Sequence, residues 1–267
     1  MEVRDSFGKA LRFVRQRRGL TQEDFDAFAE ENLFEYQKHL RLNIGQHVRN
    51  ILKSRQIGAT FYFVREALID ALETGRNQIF LSASKAQAHV FKQYIIQFAK
   101  EEGVELKGDP MVLPNGAHMY FLGTNARTAQ SYHGNIYMDE YFWIHGFADF
   151  RNVASGMAMH KKWRQTYFST PSSLSHPAYK FWSGEEFNKG RPKADQIKFD
   201  LSHAHLMDGK LGGDGQWRQL FPASAGMNRF AKWHLSRQPS VPRVRGDEPI
   251  CTHSFPNTRC CSPRPRG

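Results

Sequence analysis

The sequence predicts an α/β fold in which a mostly parallel sheet is flanked by helices on both faces. Two observations predict it. Short apolar runs typical of strands alternate with helix-length segments between residues 45 and 205, and this alternation is typical of parallel sheets. Several of the runs also end in small polar residues, and ligands bind at the carboxyl ends of strands in such folds.

The elements follow in order along the chain. Residues 59–75 and 85–103 have helical patterns and lie between strand-like runs, and Gly75 and Gly103 are expected to end the two helices. The apolar face of the second helix consists of Ala88, Phe91, Tyr94, Ile95 and Phe98. The runs expected to form strands are VRNILKS, NQIFLSAS, AHMYFLGT, GNIYMDE, WRQTYFST and DQIKFDLS.

Polar residues at the ends of these runs predict an active site at one edge of the sheet, because the ends of parallel strands share an edge. The alternative is that they only mark where the strands stop. The residues are Ser54, Ser82, Ser84, Thr124, Asp139, Ser169 and Thr170.

The composition favours a polyanionic partner. The net charge is +11, which favours binding to nucleic acid through release of counterions from phosphates. Residues 221–267 contain eight Lys/Arg and two Asp/Glu, so the rest of the chain carries only +5. The sequence contains no run of about 18 apolar residues, so no membrane span is predicted. The charged N-terminus is unlike a signal peptide, so a cytoplasmic protein is expected. The three cysteines lie near the C-terminus without the spacing of zinc ligands.

The segment NILKSRQIGAT, residues 50–60, has the outline of a phosphate-binding loop. Such a loop needs inward-pointing backbone amides, a helix N-terminus, a cation and a hydroxyl for magnesium. Gly58 permits close approach of the backbone, and Thr60 supplies the hydroxyl. Ala59 stands where the usual lysine would be, and Lys53 at the start of the loop can replace it. Ser54, Arg55 and Gln56 complete the predicted loop, in which Arg55 adds a second positive charge.

The segment GNIYMDEYFWI, residues 134–144, has the Walker B pattern of an apolar strand that ends in two carboxylates. Asp139 is predicted to hold magnesium and Glu140 to deprotonate the attacking water, a division of roles suited to phosphoryl transfer. The alternative is a strand followed by an acidic pair that caps a helix.

Two further segments are candidates for contacts with the nucleotide. The hydroxyls of Ser169 and Thr170, in YFSTPSS, could sense the γ-phosphate, unless they belong to an ordinary turn. Gln37 could bond the adenine edge while Phe34 or Tyr36 stacks on the base. The alternative for this second segment is an amphipathic helix with Leu33, Tyr36 and Leu40 packed inward.

Taken together, the stretches LKSRQIGAT, LSASKAQAHVFKQYI, LGTNARTAQSYHGNIYMDE and KKWRQTYFSTPSS resemble the ATPase subunit of tailed-bacteriophage terminases, motors that package DNA into an empty capsid. The resemblance covers about residues 33–219 and implies an additional-strand ATPase fold with Mg²⁺ and ATP as cofactors. It implies that Gln37 reads adenine and that Ser169 and Thr170 form the coupling motif. It also makes Arg127 a candidate for neutralising transition-state charge, the alternative being a surface arginine.

The same resemblance implies partners and a location. They are double-stranded DNA, a small terminase subunit, a portal protein and further copies of the chain in a ring, all in the bacterial host cytoplasm. No nuclease activity is expected, because the acidic, periodic pattern stops after GDGQWRQL.

Both ends differ from this family. Residues 1–25 resemble the opening helices of a helix-turn-helix domain, with a basic amphipathic helix as the alternative. Residues 26–220 form the predicted ATPase domain. Residues 221–267 resemble a CRISPR repeat array translated by accident, because three segments fit one DNA unit read in three frames. The alternative is a disordered tail that binds nucleic acid.

Three functions therefore stay open at this stage. The first is a truncated terminase motor domain that hydrolyses ATP. The second is an inactive prophage remnant that binds ATP without turnover. The third is a basic DNA-binding protein with no ATP chemistry.

Overall fold

The computed structural model describes residues 34–101, 104–124 and 132–221, and these form one eight-stranded sheet with helices on both faces. The strands are β1 (Val48–Lys53), β2 (Gln78–Leu81), β3 (Met111–Val112), β4 (His118–Leu122), β5 (Asn135–Asp139), β6 (Gln165–Ser169), β7 (Lys210–Leu211) and β8 (Gln216–Phe221). The helices are α1 (Glu35–Leu42), α2 (Ala59–Thr74), α3 (Lys85–Glu101), α4 (Phe147–Met157), α5 (Pro177–Ser183), α6 (Glu185–Asn188) and α7 (His203–Leu206). Short 3₁₀ turns lie at Tyr141–Trp143 and Lys193–Asp195.

The strand order is β3-β4-β2-β5-β6-β1-β8-β7, and only the two edge pairs, β3 with β4 and β7 with β8, are antiparallel. The six central strands are parallel, so their carboxyl ends meet at one edge. This confirms the predicted fold class. It also places the end of β6 between the ends of β1 and β5, where the loop lysine and the acidic pair lie.

Strands β1, β2, β5 and β6 are buried on both faces because each contributes alternate side chains to two apolar layers. Phe80, Tyr137 and Phe168 pack towards α2 and α3. Their neighbours in sequence, such as Met138 and Tyr167, pack towards α4 and α5. Two apolar layers hold the sheet from both sides, which fixes the strand ends that carry the polar groups.

The predicted helices are confirmed. Residues 59–74 and 85–101 are helical, and Gly75 ends the first with φ +72°, a left-handed conformation that glycine adopts readily. Gly103 lies outside the described residues. The apolar face predicted for α3 packs against the core, with Ala88, Phe91 and Ile95 fully buried. Within the described part of the chain, no helix is long and apolar enough to cross a bilayer.

Five of the six predicted strands are present, and the prediction of a sixth strand at DQIKFDLS is wrong. Residues 196–202 are irregular, because the side chain of Asn188 bonds the backbone N–H and C=O of Ile197 at 2.9 and 2.8 Å. Phe199 packs under the Arg218 guanidinium instead of pairing within a sheet. The alternating pattern is that of an apolar loop covering the sheet edge.

Strand β8 was not predicted, because Arg218 and Gln219 interrupt its apolar pattern. Both side chains are buried: Arg218 bonds Asp214 and the carbonyl of Trp182, and the Gln219 amide N–H donates to the carbonyl of Met207. The strand pairs in parallel with β1 over its full length. It ends at Phe221, one residue past the predicted domain boundary at 220.

Candidate nucleotide-binding site

The loop predicted to bind phosphate lies between β1 and α2. It turns through Gln56 and Gly58, which have φ values of +58° and +80°. The hydroxyl of Tyr36 donates to the carbonyl of Ile57 and ties the loop to α1. The amides in the first turn of α2 have no acceptor within the helix and carry the positive end of its dipole. Thr60 is the second residue of that turn and is half-buried.

Lys53, the last residue of β1, crosses the parallel edge to the acidic pair. Its Nζ lies 2.6 Å from Oε1 of Glu140, and only 8% of the Lys53 side chain is exposed. The lysine at the start of the loop therefore reaches the position where the carboxylates converge. This geometry is compatible with the displaced lysine replacing the one missing at Ala59.

Glu140 is held on its other oxygen as well. Oε2 accepts hydrogen bonds from the backbone N–H and the hydroxyl of Thr170, at 2.8 and 2.7 Å, and lies 3.2 Å from the Ser169 hydroxyl. Burial acts to raise the pKa of the Glu140 carboxyl, but the Lys53 ammonium and the Thr170 bonds outweigh it and hold the pKa below its usual range. Glu140 also adopts φ +50°, which is uncommon for any residue other than glycine. Such backbone strain occurs often at functional sites.

The neighbouring carboxylate, Asp139, has an unsatisfied atom. Its Oδ1 is buried and has no hydrogen-bond partner among the described residues. Burial, partly offset by Lys53, raises the pKa of the Asp139 carboxyl to about 7. A desolvated carboxylate oxygen without a donor is poorly stabilised, and a bound cation would satisfy it.

These residues fit a magnesium ion held in part by other ligands. The described residues contain no group of three or more His, Cys, Asp or Glu that could hold a metal. Mg²⁺ is commonly bound by one or two protein oxygens together with phosphate oxygens and waters. Asp139 and Thr60 are the predicted protein oxygens, and the buried hydroxyl of Ser54, which has no partner among the described residues, follows Lys53 directly.

The predicted adenine contact lies beside the loop. A Cβ added at Gly58 would lie 3.9 Å from Nε2 of Gln37. The Gln37 amide bonds the Tyr36 hydroxyl and the backbone N–H of Phe34. Tyr36 is 5% exposed and packs on Phe221, whereas Phe34 is 39% exposed. Of the two predicted stacking rings, the structure therefore leaves Phe34 accessible. The role of Gln37 in reading adenine stays a prediction.

The other predicted residues divide into three sets. Arg55 and Gln56 lie in the loop with exposed side chains. Arg127 lies outside the described residues. Ser84 and Thr124 have structural partners: Ser84 caps α3 by exchanging bonds with Gln87, and the Thr124 hydroxyl donates to the Ala83 carbonyl.

One residue of this site was missed from the sequence. The indole Nε1 of Trp143 donates to the hydroxyl of Thr170 at 2.9 Å and to its carbonyl at 3.2 Å. Trp143 follows the acidic pair closely, but only the fold brings it onto the end of β6. The spacing of the motif carries no signal for this contact.

The structure is a mostly parallel α/β sheet flanked by helices, with the loop lysine and the acidic pair at the carboxyl ends of its strands. Comparison with known proteins identifies the family: the chain belongs to the terminase large subunits, because the family described as "Terminase large subunit, T4likevirus-type, N-terminal" matches residues 50–235. This confirms the predicted resemblance. The match extends past residue 220 into the segment predicted to be a foreign tail.

Two relatives are similar over 71% of the chain. The chain is 59% identical over 193 residues to the terminase ATPase subunit of Escherichia phage P2, an alignment that covers 71% of this chain and 33% of that protein. It is 57% identical over 192 residues to the probable terminase ATPase subunit of Haemophilus phage HP1 (strain HP1c1), covering 71% and 32%. The chain thus spans about a third of the length of these relatives.

Solved structures support the fold. The N-terminal domain of the DNA packaging ATPase from bacteriophage phi29 matches with a TM-score of 0.50 and 16% identity, covering 71% of this chain and 97% of that one. A large terminase from a thermophilic bacteriophage matches with a TM-score of 0.53 and 12% identity, covering 77% and 48%. At these identities the similarity shows a shared fold.

Proposed function

We propose that this chain contains the ATP-hydrolysing domain of a phage DNA-packaging motor, with Mg²⁺-ATP as its substrate and double-stranded DNA as the polymer it moves. The relatives from phages P2 and HP1 are named as ATPase subunits of terminases. The observation that carries the proposal is the meeting of Lys53 with Glu140 at 2.6 Å beside the unpartnered Oδ1 of Asp139.

Each group has a role in the proposed reaction. Loop amides and Lys53 bind the phosphates, and Arg55 adds positive charge at the mouth of the loop. Asp139 and Thr60 hold the ion, which would neutralise charge on the phosphate oxygens when bound. Glu140 orients the attacking water and accepts its proton. Positioning and charge stabilisation account for most of the catalysis in phosphoryl transfer.

The lysine must change partners for this reaction to occur. Lys53 occupies Oε1 of Glu140, so phosphates that attract the ammonium would leave this oxygen free to accept a proton. Oε2 stays held by Thr170. Binding of ATP would thereby convert a neutralised carboxylate into an available base.

The remaining contacts are proposed from the family resemblance. Gln37 contacts adenine, Arg127 stabilises the transition state, and Ser169 and Thr170 couple hydrolysis to DNA movement. The partners would be a small terminase subunit, a portal protein and further copies of the chain in a ring.

ATP hydrolysis by the full chain, measured with and without double-stranded DNA, tests this proposal. We expect ATP turnover that DNA stimulates and that Glu140→Gln eliminates. The matched control is Glu185→Gln, which removes an exposed charge in helix α6. Binding of ATP without hydrolysis would instead support the inactive remnant. DNA binding that survives Lys53→Ala, in the absence of ATP binding, would support a DNA-binding protein.

A further inference from the structure

We infer that Trp143 is a positioning residue for the proposed ATP hydrolysis: its indole N–H fixes the Thr170 hydroxyl as a donor to Glu140 and so selects which carboxylate oxygen is free to act. This inference rests on the proposed function. Trp143 lies in the segment that carries the acidic pair, but the sequence pattern predicts no role for it.

The direction of each hydrogen bond follows from the chemistry of the groups. An indole N–H can only donate, and an ionised carboxylate can only accept. Thr170 Oγ1 lies 2.9 Å from Trp143 Nε1 and 2.7 Å from Glu140 Oε2. The hydroxyl therefore accepts from Trp143 and must direct its single hydrogen at Glu140.

The adjacent hydroxyl cannot perform the same function. Ser169 Oγ lies 2.7 Å from the carbonyl of Thr170 and 3.2 Å from Glu140 Oε2, and it has one hydrogen to donate. The shorter contact takes that hydrogen. Thr170 is consequently the main side-chain donor to Oε2, and its direction is set by Trp143.

This chain of bonds distinguishes the two oxygens of Glu140. Oε2 is fixed by the backbone N–H and hydroxyl of Thr170, whereas Oε1 is bonded to Lys53. When phosphate attracts the lysine, Oε1 is the oxygen that becomes available. A hydroxyl free to rotate would leave the carboxylate less well oriented towards the water.

The position of Trp143 argues against a purely structural role. Its side chain is 45% exposed, unlike the buried Tyr141 and Phe142 of the same turn. The turn is tied to the end of β6 by two other bonds, from Phe142 N–H to Ser169 and from Ser172 to the Phe142 carbonyl. Replacing Trp143 by phenylalanine should therefore remove one hydrogen-bond donor and leave the fold intact.

The first test needs no hydrolysis. In the ¹⁵N–¹H spectrum of the full chain, each of the five tryptophans gives an indole signal, and Trp143→Phe identifies the signal of interest. Thr170→Val should shift that signal more than any other indole signal, and Thr170→Ser should restore it. An unchanged Trp143 signal in Thr170→Val would overturn the inference, whether or not the protein hydrolyses ATP.

The second test measures kcat and KM for ATP. Trp143→Phe should lower kcat about fivefold, as expected for loss of one hydrogen bond, with KM unchanged. The double variant with Thr170→Val should be no slower than Thr170→Val alone, because both changes remove the same interaction. Multiplying losses, or a rise in KM alone, would contradict the inference. Trp163→Phe, another partly exposed tryptophan, is the matched control. A wild-type chain without turnover would refute the proposed function and leave the spectroscopic test valid.

Discussion

Strand β1 supplies a cation to each of two ion pairs, and the two pairs differ in how completely protein groups satisfy them. Arg49 bonds both oxygens of Glu66 in α2 and the hydroxyl of Thr166 in β6. Lys53, four residues later, makes one bond to Glu140, whose other oxygen bonds Thr170. Each pair thus combines a cation of β1 with a glutamate. In each pair a threonine also bonds one of the two partners, Thr166 within β6 or Thr170 directly after it.

We call the pair inside the fold, Arg49 with Glu66, the closed pair. The side chains of Arg49 and Glu66 are 0% and 4% exposed, and Tyr62 and Tyr137 also donate to the glutamate. Burial acts to raise the pKa of Glu66, but Arg49 outweighs it and keeps the carboxyl ionised. A planar guanidinium with two bonds to one carboxylate holds a single geometry.

We call the pair at the strand ends, Lys53 with Glu140, the open pair, because a ligand could replace one of its bonds. Glu140 is 28% exposed, and the adjacent Asp139 has an oxygen with no partner among the described residues. A lysine ammonium is a point charge on a flexible stem and can change partners without a specific fork geometry. The comparison indicates that the closed pair stabilises the fold, whereas the open pair is suited to a ligand that replaces one of its bonds.

The largest expected effect is on chemistry. Lys53→Ala should reduce ATP hydrolysis by about 10³-fold or more, because the cation that replaces the usual loop lysine is lost. A coupled assay on the full chain measures it, and circular dichroism should show a folded protein. Lys38→Ala, a surface lysine paired with Glu35, is the control. Hydrolysis at the wild-type rate would refute the assignment of Lys53.

The second effect is on stability. Glu66→Ala should lower the free energy of unfolding by about 3–5 kcal/mol, because it leaves the Arg49 guanidinium buried without its carboxylate. Urea unfolding followed by fluorescence measures it.

Lys53→Met sharpens the contrast between the two pairs. It should change the free energy of unfolding by about 1 kcal/mol or less, because Glu140 is partly hydrated. Equal losses in Glu66→Ala and Lys53→Met would contradict the distinction between a structural pair and an exchangeable one.

A loss smaller than that of Glu66→Ala is expected at Asp70, which belongs to the same hydrogen-bond network through Arg164 and Tyr137. Its oxygens accept from Gln78 and Asn135 at 2.8 Å and from Arg164 at 2.9 Å. Asp70→Asn should lower the free energy of unfolding by about 1–3 kcal/mol, because an amide NH₂ would face one of these donors. Urea unfolding beside the surface variant Asp195→Asn measures this difference, and equal stability of the two would contradict it.

The smallest effect is a pH dependence of the closed pair. The folded-state pKa of Glu66 lies below its usual range, so its stabilisation is present above the unfolded pKa of about 4.3. It is lost as the pH falls through the lower folded value. Between about pH 5 and pH 3 the free energy of unfolding should therefore fall more steeply in the wild type than in Glu66→Gln. Parallel curves would show that Glu66 does not contribute.

Much of the fold could be predicted from the sequence, because its signals are local. Gly58 and Gly75 mark the start and end of α2, and apolar runs with strand length mark five of the strands. Strand β8 could not be predicted, because buried Arg218 and Gln219 disrupt the apolar pattern, and the carbonyls of Trp182 and Met207 that they bond lie outside the strand. The run at residues 196–202 has strand-like alternation, but the Asn188 side chain bonds the backbone N–H and C=O of Ile197 within it.

The sequence by itself determined the chemical groups and their order: Lys53 in place of a lysine at Ala59, a loop with Gly58, and Asp139 and Glu140 at the end of an apolar strand. These follow from spacing along the chain, which a linear pattern records. Only the tertiary structure decided which groups meet. The parallel order of β5, β6 and β1 brings Lys53 to Glu140 and leaves an oxygen of Asp139 unpaired among the described residues. It also joins Trp143 to Thr170, because contacts between strand ends depend on sheet order, which local sequence patterns do not record.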